Sequence, residues 1–593
     1  MLRKIRHNIV FWTIGRILKL LTKQEKRRGY RLAFITLLGA LIDVLGLAFL
    51  VPVMMAATNP DFVTENKHMS ALYDSLGFET YPAFMMFLAI ALLLVFIFKN
   101  AIALALNYAH SSYCYSVATS MARRQFIKSY QEGYQYFKAT NSADIINNIV
   151  NVPAFFASGV LISAINIIGE ALVMAFIVIG IAFVDIALFV SVMAVLIPSG
   201  ILIYNGSKNK LFKLGVEQIQ LRSEVLARLN QAIFGYADVK LTNKEQHIMD
   251  KYVHTQHRLN QNQKFKYLIS LIPTRALEVI AILGIVVIFA YTFLFSSDPA
   301  KLFAFIALFA AAAFRVLPSM NRLLNAMMGM KNHQPTLDIL ETGGLPQEMD
   351  LPDLKPMSFQ NEIEFRDLTF AYEDAEAPAI KALNFSVKKG EKVGIIGESG
   401  SGKTTLVNVL LRFLPETSGG IYVDGKKLEE KDIPGWRAIV GYVQQKVYLM
   451  DASLKENVAF GVDVEKIDGE RLEWALRQAS LWDHVQTMPE GVETRIGENG
   501  AQLSGGQQQR VGIARALYWN SEILVFDEAT SALDMETETA ITESIESLAS
   551  GQTIFVIAHR ITTLKHCDRI IEMKDGVLVG EWSYKDLVQH MMK

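Results

Sequence analysis

Nine consecutive residues in the second half of the chain have the composition of a phosphate-binding loop. They read Gly-Glu-Ser-Gly-Ser-Gly-Lys-Thr-Thr and contain the pattern G-x-x-x-x-G-K-T. Glycines allow successive backbone N–H groups to turn inward around phosphate oxygens, and a helix that begins at such a loop directs its positive end toward the anion. The residues expected to contact a nucleotide here are Gly397, Glu398, Ser399, Gly400, Ser401, Gly402, Lys403, Thr404 and Thr405.

The residues on either side of this loop support that interpretation. The apolar run Val393–Ile396 precedes it and Leu406–Leu411, with helical spacing, follows it, so the pattern predicts a strand, a loop and a helix. In that arrangement the Lys403 ammonium can reach the β- and γ-phosphates of a nucleoside triphosphate, and the Thr404 hydroxyl can bind Mg²⁺. The alternative is a glycine-rich turn with a lysine beside it.

Two adjacent carboxylates, Asp527 and Glu528, follow the apolar run 523–526. The end of a buried strand beside a phosphate-binding loop is a suitable place for Mg²⁺, so Asp527 is expected to bind the metal and Glu528 to activate the attacking water. Gln445 follows a short predicted strand over 439–443 and could bridge the Mg²⁺ and that water.

Further contacts to the nucleotide are predicted from three other places in the chain. A segment at a predicted helix start, about 20 residues before the carboxylates, could bind a phosphate through its serine and backbone N–H groups; it contains Ser504, Gly505, Gly506 and Gln507. His559 follows the run 553–558 and could contact the γ-phosphate, and Tyr372 could stack on adenine. A single Gln, His or Tyr is more often structural, but these residues in this order reinforce one another.

The whole segment 361–593 resembles the nucleotide-binding domain of an ABC transporter. In that resemblance Tyr372 corresponds to the A-loop aromatic residue, 397–404 to the Walker A loop and Gln445 to the Q-loop glutamine. The remaining correspondences are Ser504–Gln507 with the family signature, Asp527 and Glu528 with the Walker B aspartate and the catalytic glutamate, 531–534 with the D-loop, His559 with the switch histidine and Glu498 with the exporter X-loop. The resemblance implies an α/β P-loop ATPase domain that uses ATP, with Mg²⁺ held by Thr404, Gln445 and Asp527.

Composition places the rest of the chain in a membrane. The 593 residues exceed what one core supports, and 51% of them are hydrophobic, with a mean hydropathy of +0.24; both values favour several domains with membrane spans. The net charge of −1 provides no general attraction to nucleic acid. The two cysteines, Cys114 and Cys567, are too far apart in sequence to indicate a disulfide framework or a metal cluster.

Residues 1–31 are strongly basic and amphipathic, with ten Lys or Arg residues against one acidic residue, Glu25. They predict a helix on the inner membrane surface and a cytoplasmic N-terminus. A cleaved signal peptide is disfavoured because Arg16 and Lys19 interrupt the apolar stretch. Six predicted spans follow, at 32–57, 82–110, 153–183, 186–206, 266–296 and 300–330.

The segments between these spans are unequal. Two long polar segments, 111–152 and 207–265, are expected to be cytoplasmic helical extensions with turns near 139–143 and 235–238. The outside segment 58–81 carries Met69, Leu72, Tyr73 and Leu76, a spacing that predicts an amphipathic helix, either packed on the spans or in contact with lipid. Prolines and glycines predict a linker over 331–360 between a membrane domain, 1–330, and the ATPase domain, 361–593.

Six spans followed by one nucleotide-binding domain resemble a half-size exporter in the plasma (inner) membrane. The resemblance implies a dimer, because in this family each ATP lies between the Walker A loop of one subunit and the signature segment of the other. Both half-sites look complete in this chain, which favours a homodimer. Tyr136–Asp144 and Gly235–Glu245 are the candidate coupling helices.

Charged residues within the predicted spans bear on the cargo, because charges there are costly and are functional by default. Those noted are Asp43, Glu170, Arg275, Glu278, Arg315 and Arg322. Arg275 and Glu278 are three residues apart, so an intrahelical pair is the alternative to a substrate contact. Arg315 and Arg322 lie two turns apart and would suit a pyrophosphate; the alternative is contact with lipid phosphates or loop carboxylates.

Three short segments, 314–322, 272–278 and 66–78, are similar to the bacterial flippases of lipid-linked oligosaccharides in N-glycosylation. That resemblance implies that the outside helix engages a polyprenyl tail and that arginines bind the pyrophosphate. The favoured hypothesis is therefore ATP-driven export or flipping of an amphipathic, lipid-linked substrate by alternating access. The alternatives are a multidrug or general lipid exporter, and an ATP-gated channel or regulator that does not pump.

Overall fold

The structure, a computed structural model, describes residues 9–58, 61–184, 186–295, 299–342, 355–373, 375–527, 551–558 and 560–591. The chain divides into two compact units, 1–349 and 350–593. The boundary between them falls inside the segment predicted as a linker.

Helices form all of the regular structure described in the N-terminal unit. Their bounds are α1 Ile9–Leu20, α2 Lys23–Ala48, α3 Leu50–Thr58, α4 Asp61–Glu65, α5 Lys67–Ser75, α6 Tyr81–Gln131, α7 Gly133–Ala139, α8 Ser142–Phe155, a π-helical segment Phe156–Leu161, α9 Ile162–Val184, α10 Ile186–Phe234, α11 Tyr236–Leu241, α12 Glu245–Phe295, α13 Pro299–His333 and α14 Pro335–Glu341.

Three stretches in the described residues are long and apolar enough to cross a membrane, judged by length and composition. They are Lys23–Gly46, Tyr81–Gln131 and Ser142–Ile177. The predicted spans 186–206, 266–296 and 300–330 fall largely within α10, α12 and α13, although residues 296–298 lie outside the described part. Helices α6, α10 and α12 continue far beyond the length a bilayer requires, about 20 residues.

The basic N-terminal segment contains two helices instead of one. Helix α1 ends at Leu20 and α2 begins at Lys23. Between them the Thr22 hydroxyl accepts from the Glu25 backbone N–H (3.2 Å), and the Glu25 carboxylate accepts from the Thr22 N–H (2.7 Å). This reciprocal capping box satisfies N–H groups that a helix start leaves unpaired, so α2 begins earlier than the first predicted span.

The outside helix packs on the membrane helices through one face. Met69 of α5 is buried in a cluster with Val53, Phe84 and Leu88, which lie on α3 and α6. The Tyr73 ring contacts the Phe84 ring edge-on at 5.1 Å. Leu72 and Leu76, which share the helical spacing of Met69 and Tyr73, are exposed. The outside segment therefore combines apolar residues that pack on the membrane helices with apolar residues that are exposed.

The segment predicted as a linker begins with helix. Helix α13 continues to His333, and α14 occupies Pro335–Glu341. Pro335 lies in the first turn of α14. Backbone N–H groups there have no partner within the helix, so the N–H that proline lacks costs no hydrogen bond. The Arg16 guanidinium donates to Asp338 and Glu341 at 2.7 and 2.6 Å, which holds α14 against α1. The first part of the segment predicted as a linker is therefore largely helical, as far as Glu341.

The C-terminal unit contains two sheets. Its strands are β1 Glu362–Phe370, β2 Ile380–Lys388, β3 Lys392–Ile396, β4 Ser418–Val423, β5 Lys426–Lys427, β6 Val440–Val443, β7 Ile523–Asp527, β8 Thr553–Ile557, β9 Arg569–Lys574 and β10 Val577–Trp582. The described strands pair in the orders β2-β1-β4-β5, which is antiparallel, and β10-β9-β3-β8-β7-β6, in which only the β10–β9 pair is antiparallel.

The described part of this unit also contains short helices. The described ones are α15 Lys403–Leu410, α16 Ile433–Arg437, α17 Leu454–Val458, α18 Gly469–Gln478, α19 Trp482–Thr487, α20 Gly505–Tyr518 and α21 Tyr584–Met591, with 3₁₀ turns at Glu430–Asp432, Val464–Lys466, Gly491–Glu493, Glu498–Gly500 and Ile561–Leu564. All residues of β7 and β8 are buried, as expected for parallel strands that are covered on both faces.

Trp436 connects the core of this unit to the helix that follows the glycine-rich loop. Its side chain is fully buried, and its indole N–H donates to the carbonyl of Leu410, the last residue of α15, at 2.8 Å. The contact satisfies one of the carbonyls that a helix end leaves unpaired.

We predict that Trp436→Ala destabilises the C-terminal unit, because it leaves a cavity in the core and removes this hydrogen bond. The expected loss is about 3–5 kcal/mol, or roughly 6–20 °C in the unfolding temperature of a unit this large. Thermal unfolding of the purified protein measures it. Trp519→Ala is the matched control, since Trp519 is 51% exposed; an equal drop for both variants would contradict the assignment.

Candidate functional site

Several predicted site residues end or follow neighbouring parallel strands. In the sheet order β3-β8-β7-β6, the glycine-rich loop follows β3, Asp527 ends β7 and Gln445 follows β6. In the sequence His559 follows β8 and Glu528 follows β7, but both lie outside the described residues. Ile395 of β3 and Asp527 of β7 both pair with Ile557 of β8, so they stand at one level of the sheet. Two strand spacings place their backbones roughly 10 Å apart. Parallel pairing thus collects residues that are distant in sequence at the carboxyl ends of the strands, where open α/β sheets bind ligands.

The glycine-rich loop requires glycine at two positions for different reasons. Gly402, immediately before α15, has φ of 104°, and a Cβ there would approach the Ala379 carbonyl to 2.8 Å. Gly397 lies so close to other backbone that a Cβ would stand 2.2 Å from the Met573 carbonyl. The backbone therefore bends tightly before the helix, as a phosphate cradle requires.

Two side chains of the loop point inward. The buried Lys403 ammonium donates to the carbonyls of Gly397 and Glu398, at 2.7 and 2.9 Å, and so bends over the loop. The Ser401 hydroxyl is buried and makes no hydrogen bond within the described part of the chain. A buried cation and a buried, unsatisfied hydroxyl at the start of a helix fit the phosphates of ATP.

Tyr372 lies beside the first turn of α15. Its hydroxyl is 3.2 Å from the Thr405 hydroxyl, and its ring meets the Phe370 ring edge-on at 4.9 Å. The ring is nevertheless 41% exposed. The side chain is thus held next to the phosphate loop with exposed aromatic surface, an arrangement that suits stacking on a base.

Asp527 is held by a residue that the sequence analysis missed. The Tyr442 hydroxyl on β6 donates to the Asp527 carboxylate at 3.0 Å, and Asp527 is buried. This bond orients one carboxylate oxygen of Asp527. Because the exposed hydroxyl of Thr404 and the exposed Gln445 supply only oxygen and amide groups, the set fits Mg²⁺, which prefers oxygen ligands.

Gln509, a second residue that the sequence analysis did not select, links Gln445 to helix α20, which begins with the signature residues. The Gln509 side-chain amide donates to the Gln445 carbonyl at 2.5 Å. Gln509 is buried on α20, two residues after the last signature position. The sequence offered only a weak indication of this contact, because Gln509 is a single glutamine on the buried, otherwise apolar face of α20. The contact connects the loop after β6 to the signature segment within one unit.

The signature segment forms a helix start whose own side chains cap it. Ser504 is the N-cap of α20; its hydroxyl accepts from the Gln507 N–H (3.3 Å), and the Gln507 side chain accepts from the Ser504 N–H (2.8 Å). Gly505 and Gly506 form the first turn, where backbone N–H groups point out of the helix. Such an end binds phosphate readily.

The middle and end of α20 are anchored by long side chains. Gln508 donates to the Gly500 and Leu503 carbonyls, at 3.0 and 3.2 Å. Arg515 donates to the Asn457 carbonyl at 2.9 Å and lies over the Phe460 ring. Burial lowers the pKa of Arg515 to about 10, so the group is still charged near neutral pH. These contacts fix the helix that presents the signature residues.

Several predicted residues lie outside the described part. Glu528, the D-loop 531–534 and His559 are among them, so their expected roles stay predictions. Cys567 is described and lies near Gly394. Its burial raises the pKa of the thiol to about 12, which leaves it protonated and unreactive at neutral pH.

The structure describes the side chains of two of the three arginines predicted to contact substrate. Arg322 of α13 pairs with Glu170 of α9 and lines a cavity of about 680 Å³. Arg275 of α12 pairs with Glu278 at 3.0 Å, so the intrahelical pair is present, and Arg275 is not among the described residues of that cavity. Arg315 lies in α13, and its side chain is outside the described part.

The same cavity contains a charged residue that the sequence analysis did not select. The Lys99 ammonium on α6 is 2.7 Å from the Asp43 carboxylate on α2, and both line the cavity. Lys99 lies inside the predicted span 82–110, so its charge in an apolar stretch was the signal that could have identified it.

We predict that Gly402→Ala weakens ATP binding at least tenfold. The left-handed backbone costs about 1–2 kcal/mol for a residue with a Cβ, and the approach to Ala379 displaces the start of α15. Equilibrium binding of a fluorescent ATP analogue measures the loss. Gly469→Ala is the matched control, because Gly469 also begins a helix and a Cβ there would meet open space. ATP binding by Gly402→Ala at the wild-type level would refute the requirement.

The comparisons with known proteins agree with this geometry. The family model of the ABC transporter domain matches residues 380–531. The chain is 31% identical over 472 residues to the ATP-dependent lipid A-core flippase of Paraburkholderia xenovorans (strain LB400), covering 78% of each chain. It is also 31% identical over 492 residues to the protein of that description from Burkholderia orbicola (strain AU 1054), covering 82% of this chain and 81% of the relative.

Among solved structures, a bacterial Atm1-family ABC exporter with ATP bound shares the fold. The TM-score is 0.77 with 22% identity, over 95% of this chain and 96% of that chain. An α-helical membrane domain followed by an α/β P-loop ATPase domain is therefore the fold class of this protein. On the identity and coverage of these relatives, the chain belongs to the ABC transporters, as a half-size exporter of the membrane that couples ATP hydrolysis to transport.

Proposed function

We propose that this exporter flips an anionic amphipathic lipid whose head group carries phosphate. The observation that carries the proposal is the polar cavity between α2, α6, α9 and α13. Its described lining carries the charged residues Asp43, Lys99, Glu170 and Arg322. Charged groups in membrane helices are functional by default, and a cavity of about 680 Å³ is in the range that binds small molecules and head groups.

The chemistry of the cavity favours a phosphate over a neutral head group. An arginine presents a planar fork of N–H donors that matches phosphate or carboxylate oxygens, and a lysine supplies a compact second charge. Asn107, Asn166 and Asn325 add amide donors and acceptors to the lining, which suit hydroxyl groups of a sugar. A phosphorylated glycolipid therefore matches both the cations and the amides of the cavity.

Two sources could supply such a head group. One is a polyprenyl-pyrophosphate oligosaccharide, which the short sequence similarities in the spans favour. The other is a phosphorylated lipid A core, which the names of the relatives suggest. Both combine phosphates, sugars and long apolar chains, and the transport experiment below distinguishes them.

ATP drives the cycle through the C-terminal unit. We infer that Tyr372 stacks on the base and that Lys403 and the loop N–H groups bind the β- and γ-phosphates. Asp527, Thr404 and Gln445 would hold Mg²⁺, which supplies charge neutralisation on the phosphates. Glu528 would position and deprotonate the attacking water, and His559 would contact the γ-phosphate.

The second half of each nucleotide site would come from another copy of the chain. Ser504, Gly505, Gly506 and Gln507 would bind the phosphates held by the partner copy, so the functional state is proposed to be a homodimer. Closure of the two copies on ATP favours one access state of the cavity and hydrolysis restores the other, because a ligand shifts an equilibrium by its differential affinity for the two states. The N-terminus and the ATPase domain are proposed to be cytoplasmic.

We expect ATP-dependent flipping of one phosphorylated glycolipid in proteoliposomes. Parallel samples contain a polyprenyl-pyrophosphate oligosaccharide or a lipid A core, and translocation is read from a probe that reaches only one leaflet. Glu528→Gln should bind ATP yet lose nearly all hydrolysis and flipping. Glu522→Gln, a surface carboxylate paired with Lys389, is the control. Wild-type turnover by Glu528→Gln would refute the assigned base.

Transport of neither lipid, together with ATP hydrolysis, would instead favour a multidrug or general lipid exporter. Directional movement of such a compound in the vesicles would establish that alternative. Hydrolysis with no directional transport of any compound would favour a channel or regulator.

We expect Arg322→Ala to reduce lipid-stimulated ATP hydrolysis more than hydrolysis without lipid, because the side chain lines the cavity and not the nucleotide site. Arg275→Ala is the comparison, since Arg275 is an exposed member of an intrahelical pair, a kind of pair that contributes little. The measurement is ATPase activity against lipid concentration. Equal loss of stimulated and unstimulated activity in Arg322→Ala would indicate a structural role.

A further inference from the structure

Arg322 is already bound to an anion of the protein. Its Nε and Nη2 both donate to the Glu170 carboxylate, the second at 3.2 Å, and Nη2 also contacts the Ser319 hydroxyl at 3.2 Å. The pair is two-pronged, the geometry in which arginine binds either a carboxylate or a phosphate. Glu170 thus occupies the Nε–Nη2 edge of Arg322, one of the two edges at which a guanidinium binds a phosphate in this way.

The second cation of the cavity is occupied in the same way. The Lys99 ammonium is 2.7 Å from the Asp43 carboxylate, and Lys99 is largely buried. The lining described for this cavity therefore carries two positive and two negative groups. Its charge is balanced without a ligand, which a charge in an apolar environment requires.

This balance determines which ligands can enter. A neutral head group has no anion that could replace a carboxylate on either cation, and a zwitterionic head group has one phosphate charge for two cations together with a cation of its own. A head group with two phosphate charges can replace both, because phosphate oxygens make the same charge-assisted hydrogen bonds to arginine and lysine. The displaced carboxylates then need other donors, and Asn166 and Asn325 line the cavity beside the Glu170–Arg322 pair.

We propose that Glu170 and Asp43 are internal counter-ions that hold Arg322 and Lys99 until a doubly anionic phosphate head group replaces them. This exchange rests on the proposed function, since it supplies the specificity of the same cavity. Glu170 is a specificity-determining residue in this account: it competes with the substrate, so it weakens binding and excludes amphiphiles that carry no strong anion.

The test is equilibrium binding of radiolabelled undecaprenyl diphosphate to the full-length protein in detergent without nucleotide. Glu170→Gln keeps the size of the side chain and removes its charge, so the affinity should rise roughly tenfold. Affinity for undecaprenol, which lacks the phosphates, should not change. Glu278→Gln is the matched control, because it neutralises the partner of Arg275, which is not among the described residues of the cavity, and it should bind like the wild type.

A double variant separates exchange on Arg322 from a general change of charge. With Arg322→Gln present, Glu170→Gln should give no gain in affinity, because the cation for which carboxylate and phosphate compete is absent. A tenfold gain that persists in the double variant would overturn the proposal.

If Glu170→Gln cannot be purified in folded form, Glu170→Asp is the second variant. It keeps the charge but shortens the reach of the carboxylate, so a smaller gain in affinity is expected. Wild-type affinity in Glu170→Asp would then count against exchange.

The failures of the two proposals are distinguishable. Flipping by the wild type, with unchanged affinity in Glu170→Gln, overturns the exchange and leaves the flippase. Tighter binding by Glu170→Gln, with no lipid transported by the wild type, overturns the flippase and leaves the exchange. Binding of undecaprenyl diphosphate by none of the variants overturns the exchange.

Discussion

Parallel pairing of β3, β8, β7 and β6 is the constraint on which the nucleotide site depends. Because the carboxyl ends of parallel strands meet at one edge, the loop after β3 and the carboxylate at the end of β7 come together although 130 residues separate Gly397 from Asp527. The strands can pair in this way only because helices cover both faces, which explains why β7 and β8 are buried along their whole length. This pairing brings the groups of the site near one another. Their final positions then depend on the glycine conformations, on the Tyr442 bond to Asp527 and on the Gln509 bond to Gln445.

A different constraint governs the membrane unit. A charge in an apolar environment must be paired, and the described cavity meets this requirement with carboxylates of its own. In the exchange that we propose, the same requirement also gives the cavity its selectivity, because a cation that is paired within the protein is released only when another anion replaces its partner.

The motifs around the glycine-rich loop were predictable because their residues are close together in the chain, so their spacing depends only on local backbone geometry. Strand, loop and helix follow one another in the chain at Gly397–Thr405, and the Ser504–Gln507 capping box is also local. The structure differs from the predicted elements at two places, the segment after the last span and the basic N-terminal segment. Prolines and glycines over 331–358 suggested a linker, but Pro335 begins a helix that Arg16 holds from more than 300 residues away. The Thr22–Glu25 capping box was a readable signal that the amphipathic pattern obscured.

The sequence by itself determined the family, the nucleotide chemistry and the presence of charges in apolar helices, because each follows from residue types at short, fixed spacings. Only the tertiary structure decided which charges act together. It pairs Arg275 within its own helix, and it brings Arg322 to Glu170 and Lys99 to Asp43 from different helices around one cavity. Helical periodicity defines which face a residue occupies but not which other helix that face meets, so contacts between α2, α6, α9 and α13 depend on packing that a linear pattern does not encode.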